Sequence, residues 1–239
     1  MHPIPSGTSG SDQDSGTLGR VLTPDRLWAI PRVGDPEPSP AGDFLIVPVT
    51  AHDLDADRAL TRLWRVEVDA WRARPLTAPD GSSSEPAVSP DGRWLAFVRR
   101  PEGLASGGRG ASRGVDRGPT EARPRHPDQP QLYRMPLDGG EAERLTDLPL
   151  GAGLPRWFPD GGRIAFLAPV VADAPDPGET AAELERRSRA RVSARVTEDR
   201  VYRYWDRWLT DGVVHHLFAI DLNSGALTDL TPASRGWLP

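Results

Sequence analysis

The sequence contains no cysteine and no lysine among its 239 residues. The absence of cysteine excludes disulfides, thiol nucleophiles and thiolate metal sites. All 29 basic residues are therefore arginine, and the net charge is −5. Because there is no positive excess to neutralise phosphates or anionic lipids, we expect neither nucleic acid nor a membrane surface as a partner.

Long hydrophobic runs are also missing. No segment approaches the roughly 20 apolar residues that a membrane-spanning helix needs. The first 20 residues, MHPIPSGTSGSDQDSGTLGR, lack the basic start and the apolar run of a signal peptide. We expect a cytoplasmic protein in which residues 1–20 form a disordered tail.

What the sequence does contain is a repeated motif. EPAVSPDGRWLAFVRR (residues 85–100) returns as LPRWFPDGGRIAFLAP (residues 154–169), and PEPSPAGDFLIVPV (residues 36–49) is a weaker first copy. Proline presets φ and glycine accepts a left-handed conformation, so each copy predicts a turn. The continuous apolar run after the turn predicts a strand that is buried on both faces.

A second block follows each copy: LWRVEVDAWRARPLT (residues 63–77), LYRMPLDGGEAERLT (residues 132–146) and LFAIDLNSGALTDLT (residues 217–231). Its alternating pattern predicts a half-buried strand, its Asp, Asn and Gly residues predict a turn, and its final Leu-Thr pair marks the returning strand of a hairpin. The next copy of the motif follows at a fixed interval, since its proline lies 14 residues after the leucine of the Leu-Thr pair in both cases.

Units of about 50 residues that consist of short strands and Gly-rich turns are typical of β-propeller blades. We predict an all-β fold: an incomplete β-propeller over residues 21–239, with about three four-stranded blades and a helical insertion. The alternative, unrelated hairpins in a β-sandwich, does not predict repeated motifs in a fixed order.

The repeat is interrupted by insertions near residues 101–130 and 170–200. The first is rich in Gly, Pro, Arg and Ser and predicts a mobile surface loop. Within it, GASRG matches the G-x-S-x-G pattern of a nucleophile elbow. No buried strand precedes it and no helix follows, so we do not expect Ser112 to act as a nucleophile.

The second insertion begins with DAPDPGETAAELERRSRARVSARV, which predicts a helix that Asp176 caps and Pro177 starts, with Glu179 at capping-box spacing. Two i,i+4 pairs would support an exposed helix surface: Glu183 with Arg187, and Glu185 with Arg189. Either this helix is a solvated arm, or its arginines form a binding face.

The stretch RVYRYWDRWLTDGVVHHLF (residues 200–218) interleaves aromatic and arginine residues, which stack on ligands or pack in interfaces. Arg203, Tyr204 and Asp206 are our candidates for contact with a substrate, and ordinary packing is the alternative. His215 and His216 point to opposite faces of a strand, which argues against joint metal ligation. We predict no metal, no cofactor and no catalytic residue in this chain.

These motifs resemble those of the N-terminal propeller in the prolyl oligopeptidase family of serine peptidases, particularly its acylaminoacyl-peptidase and dipeptidyl-peptidase-like bacterial members. SPDGRWLAFVRR and LDGGEAERLTD are also similar to repeats of TolB-like propellers, whereas YRYWDRWLTDGVVHHLFAIDLNSGALTDLTP is more specific to the peptidases. The resemblance implies a two-domain enzyme whose propeller covers an α/β-hydrolase domain. The Ser, Asp and His of that domain cleave bonds near the N-terminus of short peptides.

The resemblance implies that this chain holds only the propeller part, and that the hydrolase domain is not present in it. We therefore expect an intact serine peptidase in which this chain controls substrate access and is not itself catalytic. Its expected partners are peptide substrates, and the hydrolase domain or remaining blades on the same or another chain; a homo-oligomer is also open. The alternative is a non-enzymatic TolB-like propeller that binds proteins.

The repeat interval places the next motif proline at position 244, beyond Pro239, and three blades do not close a ring of roughly 4 to 8 blades. Uncovered sheet edges and faces favour association. Size-exclusion chromatography of this chain alone is therefore expected to show oligomers or unfolded protein, and a compact stable monomer would contradict this expectation.

Overall fold

The computed structural model describes residues 23–70, 72–101, 129–191, 203–204, 207–208 and 212–234. Three antiparallel sheets of four or five strands follow one another along the described chain, with a separate two-stranded sheet inserted within the third, which confirms the predicted all-β fold. The predicted tail at residues 1–20 and most of the predicted loop, including Ser112, lie outside the described residues.

A short helix, α1 (Pro24–Trp28), precedes the sheets. The first sheet contains β1 (Arg32–Val33), β2 (Glu37–Pro38), β3 (Phe44–Asp53), β4 (Arg58–Glu67) and β5 (Arg72–Pro75). The second contains β6 (Gly81–Val88), β7 (Trp94–Pro101), β8 (Gln131–Pro136) and β9 (Glu143–Arg144). The third starts with β10 (Gly153–Trp157) and β11 (Arg163–Val171), is interrupted by α2 (Pro177–Ser188), β12 (Arg203–Tyr204) and β13 (Arg207–Trp208), and ends with β14 (Val213–Asp221) and β15 (Leu227–Asp229).

The three sheets are arranged as successive propeller blades. In the second and third sheets the strands lie in chain order, and in the first sheet the short β1 and β2 both pair with β3. The first strands of neighbouring sheets pack together and share hydrogen bonds: Val88 donates its N–H to Glu37 Oε1 (3.3 Å), and Trp157 Nε1 donates to the Ala87 carbonyl (2.9 Å). The sheets therefore converge at their first strands, as blades do around a propeller axis.

The apolar core lies between the blades. One cluster joins blades 1 and 2 and the other joins blades 2 and 3. Strand β7 contributes to both, because Leu95 and Phe97 face blade 1 whereas Ala96 faces blade 3, and all three are 0% exposed. The predicted burial of this strand on both faces is confirmed.

The repeated motif forms the predicted turn. In blade 2 the Ser89 hydroxyl accepts the N–H of Trp94 at 2.9 Å and donates to the Asp91 carboxylate at 2.5 Å, while Gly92 adopts a φ of +70°. Blade 3 makes the same turn with Phe158 in place of the serine. The motif serine is therefore a turn residue, which its hydroxyl locks to the start of the following strand.

The Leu-Thr pair closes each hairpin in the same way. In blade 2, Leu145 donates its N–H to the Leu132 carbonyl (2.8 Å), and the Thr146 hydroxyl accepts the N–H of Leu132 (3.0 Å). The equivalent bonds measure 2.8 and 3.0 Å in blade 1 and 2.8 and 2.9 Å in blade 3. The threonine hydroxyl thus takes the place of the last backbone acceptor between the two strands, and the chain after it leaves the sheet toward the next blade.

The Thr146→Val substitution tests this closure. It keeps the side-chain shape but leaves the buried Leu132 N–H without its acceptor, which costs about 1–3 kcal/mol. We expect a loss of that size in the free energy of unfolding from urea denaturation. Thr228→Val on exposed β15 is the matched control, and equal stability of the two variants would rule out a structural role for the hydroxyl.

Candidate functional site

The connections between the second and third strands of the blades leave the sheets on one face of the structure, because the antiparallel strand order is the same in each blade. We call this side the insertion face. In blade 1 the connection is the short loop of residues 54–57, whereas in blades 2 and 3 it is an insertion. The repeated turns lie on the opposite face. The connections that differ between blades therefore lie together on the insertion face.

The predicted substrate residues belong to the connection of blade 3. Arg203 and Tyr204 form β12, which pairs with β13 in the register Arg203↔Trp208 and Tyr204↔Arg207. The structure thus brings these two residues together in a short hairpin. Asp206 lies outside the described residues. Contact of the three residues with a substrate stays a prediction.

Helix α2 is anchored to the end of β11. Asp176 caps it as predicted, because its carboxylate accepts the N–H groups of Gly178 (2.8 Å) and Glu179 (3.2 Å). Thr180 is fully buried, and its hydroxyl accepts the N–H of Val171 at 3.0 Å. One side chain therefore fixes the helix to the sheet at the insertion face.

The exposed side of α2 carries the predicted ion pairs. Glu183 contacts Arg187 at 2.7 Å, and Glu185 contacts Arg189 at 2.5 Å. Arg186 also binds Glu183 at 2.6 Å, and its hydrogen bonds are the largest cause that lowers the pKa of Glu183 to about 2. Because these arginines bind carboxylates of their own helix, the structure favours a solvated arm over an arginine-rich binding face.

Blade 1 carries a surface cavity on the insertion face. The sequence did not predict this cavity. Its volume is about 240 Å³, and it is lined by Trp28, His52, Asp53, Leu54, Asp57, Arg58 and Ala59. Within the described residues, His52 Nδ1 is buried and has no hydrogen-bond partner, and the Trp28 ring lies 5.1 Å from the imidazole. An aromatic ring beside an unpaired ring nitrogen suits binding of a small polar group.

A second histidine has partners that resemble a catalytic triad. His216 Nδ1 lies 2.7 Å from Asp229 Oδ2, and His216 Nε2 lies 3.0 Å from Ser234. The contact atom of Ser234 is its backbone carbonyl oxygen, which has no proton to give up, and His216 is 0% exposed. This cluster therefore does not activate a nucleophile.

The part of the chain that the structure describes contains no group of three or more His, Asp or Glu side chains that could hold a metal ion. His215 and His216 lie on opposite faces of β14, as predicted, since His216 is buried and His215 is half-buried. None of the described helices has the length and apolar character to cross a bilayer.

No protein-family model matches the chain. Among curated proteins it is 28% identical over 214 residues to an uncharacterized peptidase, YuxL, of Bacillus subtilis, which covers 90% of this chain and 28% of the relative. It is 22% identical over 221 residues to dipeptidyl-peptidase 5 of Porphyromonas endodontalis, covering 92% of this chain and 27% of the relative. The chain thus spans less than a third of the length of these relatives.

Solved structures share the fold. An acylaminoacyl peptidase of Pyrococcus horikoshii matches 84% of this chain with a TM-score of 0.56 and 13% identity, over 24% of its own chain. The AtxE2 isopeptidase matches 89% with a TM-score of 0.56 and 18% identity, over 32% of its own chain.

Glu183 provides a test of the helix surface. Its pKa of about 2, against an ordinary value of 4.5, means that its ion pairs persist above pH 2 and are lost only as the pH falls through that value. At pH 3 we expect about a tenth of this carboxyl to be protonated, as ¹³C NMR of the glutamate side chains would measure. Arg186→Gln should raise the midpoint; a wild-type midpoint near 4.5 would contradict the ion pairs.

The order of the repeats, the sheets that they form and the peptidases among the relatives confirm the resemblance that the motifs indicated: the chain forms successive β-propeller blades and is similar to the propeller part of peptidases.

Proposed function

We propose that this chain forms the N-terminal blades of the propeller of a serine peptidase that removes N-terminal acylamino acids or dipeptides from short peptides. In this proposal the blades limit access to a catalytic α/β-hydrolase domain. The sequence relative named as a dipeptidyl-peptidase and the structural neighbours named as acylaminoacyl peptidases support it.

The observation that carries the proposal is the outer face of blade 1. Tyr133 and Met135 of blade 2 pack against blade 1, yet their repeat equivalents in blade 1, Trp64 and Val66, face away from blade 2 and are only half-buried. The outer face of blade 1 therefore presents a surface of the kind that lies between blades inside the stack. We infer that a further blade, on the same or another chain, covers it.

The insertion face is the proposed side for the catalytic domain. The connections from one blade to the next run on this face, so the chain enters and leaves a blade there, and a domain joined to the propeller lies nearest to it. The cavity beside Trp28, helix α2 and strand β12 are all on connections that reach this face. We propose that Arg203, Tyr204 and Asp206 contact peptide substrates from there.

Catalysis belongs to the hydrolase domain in this proposal. A serine of that domain would attack the peptide carbonyl with histidine as the base and an oxyanion hole, without a metal or organic cofactor. The cytoplasmic location stays a prediction. The alternative, a TolB-like propeller that binds proteins without cleaving them, also stays a hypothesis, and the following experiment separates the two.

The chain is co-expressed with the rest of its gene product and treated with a serine-reactive fluorophosphonate. We expect labelling outside residues 1–239 and hydrolysis of acetyl-alanyl and alanyl-alanyl p-nitroanilides, but not of folded proteins, because the propeller excludes them. Labelling at Ser112, which Ser112→Ala would remove, would overturn the proposal. A complete absence of labelling and hydrolysis would favour the TolB-like alternative.

The same assay tests the substrate residues. Arg203→Ala is expected to raise KM for short peptides about tenfold with little change in kcat, which corresponds to the loss of about 1.4 kcal/mol of binding. Arg163→Ala is the matched control, since Arg163 is an exposed residue beside a turn on the opposite face and pairs with Asp160 at 3.2 Å. An equal effect of both substitutions would remove the hairpin from the site.

A further inference from the structure

The cavity on the insertion face of blade 1 is formed by two elements that meet only in the folded chain. Helix α1 supplies the Trp28 ring, and the tip of the hairpin of β3 and β4 supplies the rest of the lining. His52 holds the indole in place, because the two rings meet edge to face with their centroids 5.1 Å apart. The volume of about 240 Å³ corresponds to about eight water molecules at roughly 30 Å³ each. The cavity therefore has room for a single side chain.

The charges around the cavity do not cancel. Both carboxylate oxygens of Asp53 are occupied, because one accepts the N–H of Ala56 at 3.0 Å and the other accepts hydrogen bonds from the Arg58 guanidinium at 3.3 Å. Asp57 also lines the cavity, and among the described residues no hydrogen bond or ion pair reaches its carboxylate. In this part of the chain, the lining charge that is left without a partner is therefore negative.

The indole of Trp28 suits the same kind of ligand. It already contacts a cation, since the guanidinium carbon Cζ of Arg32 lies 5.2 Å from the ring centroid. Arg32 is not among the residues that line the cavity, so its charge does not fill the space beside Asp57. Aromatic rings attract ammonium and guanidinium groups, and a carboxylate adds a charge-assisted hydrogen bond. An anion would be repelled by Asp57, because Arg58 is already bound to another carboxylate.

Apolar side chains complete the lining. Leu54, which is 54% exposed, and Ala59 lie beside the charged and aromatic groups. A cationic group on a methylene stem can place its stem along Leu54 while its head group reaches Asp57. This combination fits a lysine or arginine side chain better than a bare metal ion, because the described residues offer no cluster of metal ligands.

We propose that this cavity binds a basic side chain, lysine or arginine, of a peptide. The ammonium or guanidinium group pairs with Asp57 and contacts the ring of Trp28, and the stem packs on Leu54. The cavity lies on the insertion face, so its use in selecting peptide substrates rests on the proposed function. Binding of the side chain does not rest on it, because binding requires no catalysis.

A small probe tests the site without turnover. The probe is N-trifluoroacetyl-lysine methylamide, which has a basic side chain and no free N-terminal amine, and its ¹⁹F signal reports binding to the chain with the rest of its gene product. N-trifluoroacetyl-norleucine methylamide, which lacks the charge, is expected to bind about tenfold more weakly. Equal binding of the two probes would overturn the proposal. If alanine methylamide displaces the lysine probe as well as N-acetyl-lysine methylamide does, the site selects an N-terminal ammonium and the proposal is also wrong.

Asp57→Asn shows whether the probe binds in this cavity. Asparagine tolerates the left-handed backbone of this position, where φ is +46°, so the loop is kept. We expect about tenfold weaker binding of the lysine probe and no change for the norleucine probe. Asp55→Asn is the matched control, since Asp55 is an exposed residue of the same loop that carries the same charge but does not line the cavity. Unchanged binding in Asp57→Asn, or an equal loss in both variants, would overturn the proposal.

Discussion

The structure depends on one constraint: a four-stranded blade cannot bury both faces of its sheet by itself. Strand β7 shows the consequence, because Leu95 on one face and Ala96 on the other reach full burial only against two different neighbours. Apolar burial is the main favourable term in folding, so the stability of each blade lies largely in its contacts with the next. The sequence is repetitive for this reason, since each unit must present the same two faces to its neighbours.

The short strands of stacked blades impose a second requirement: the backbone N–H and C=O groups at the ends of each sheet must have hydrogen-bond partners. Small hydroxyl side chains meet it at fixed places, such as Ser89 at the turn and Thr146 at the closure. Blade 3 meets it differently at the turn, where Arg163 lies 4.1 Å from the ring of Phe158 and Asp160 accepts the N–H of Gly162. The residue types at these motif positions therefore vary, whereas the geometry of the turn is kept. Turn residues tolerate such variation, and a nucleophile does not.

Local patterns were enough to predict the strands, the turns and the cap of α2, because each depends on residues close in sequence. The cavity beside Trp28 was not predictable, since α1 and the hairpin of β3 and β4 meet there only in the folded chain. The side chains that hydrogen-bond to the backbone beyond the fourth strand of each blade were missed for another reason: Arg62, Gln131 and His216 share a position but no chemical type. Alternation along β4 predicted a half-buried strand, yet only the structure shows which face Trp64 presents and that blade 2 does not cover it.

The division between the two faces of the stack bears on how such a fold acquires specificity. The repeated turns on one face are fixed by the geometry of the blade, so a change there affects folding before it affects recognition. The connections on the insertion face carry no such requirement, and they range from the four residues 54–57 in blade 1 to a helix and a hairpin in blade 3. Thr180 fixes that helix to the sheet with one hydroxyl, which leaves its outer side unconstrained by the core. Recognition can therefore evolve on the insertion face without disturbing the contacts that hold the blades together.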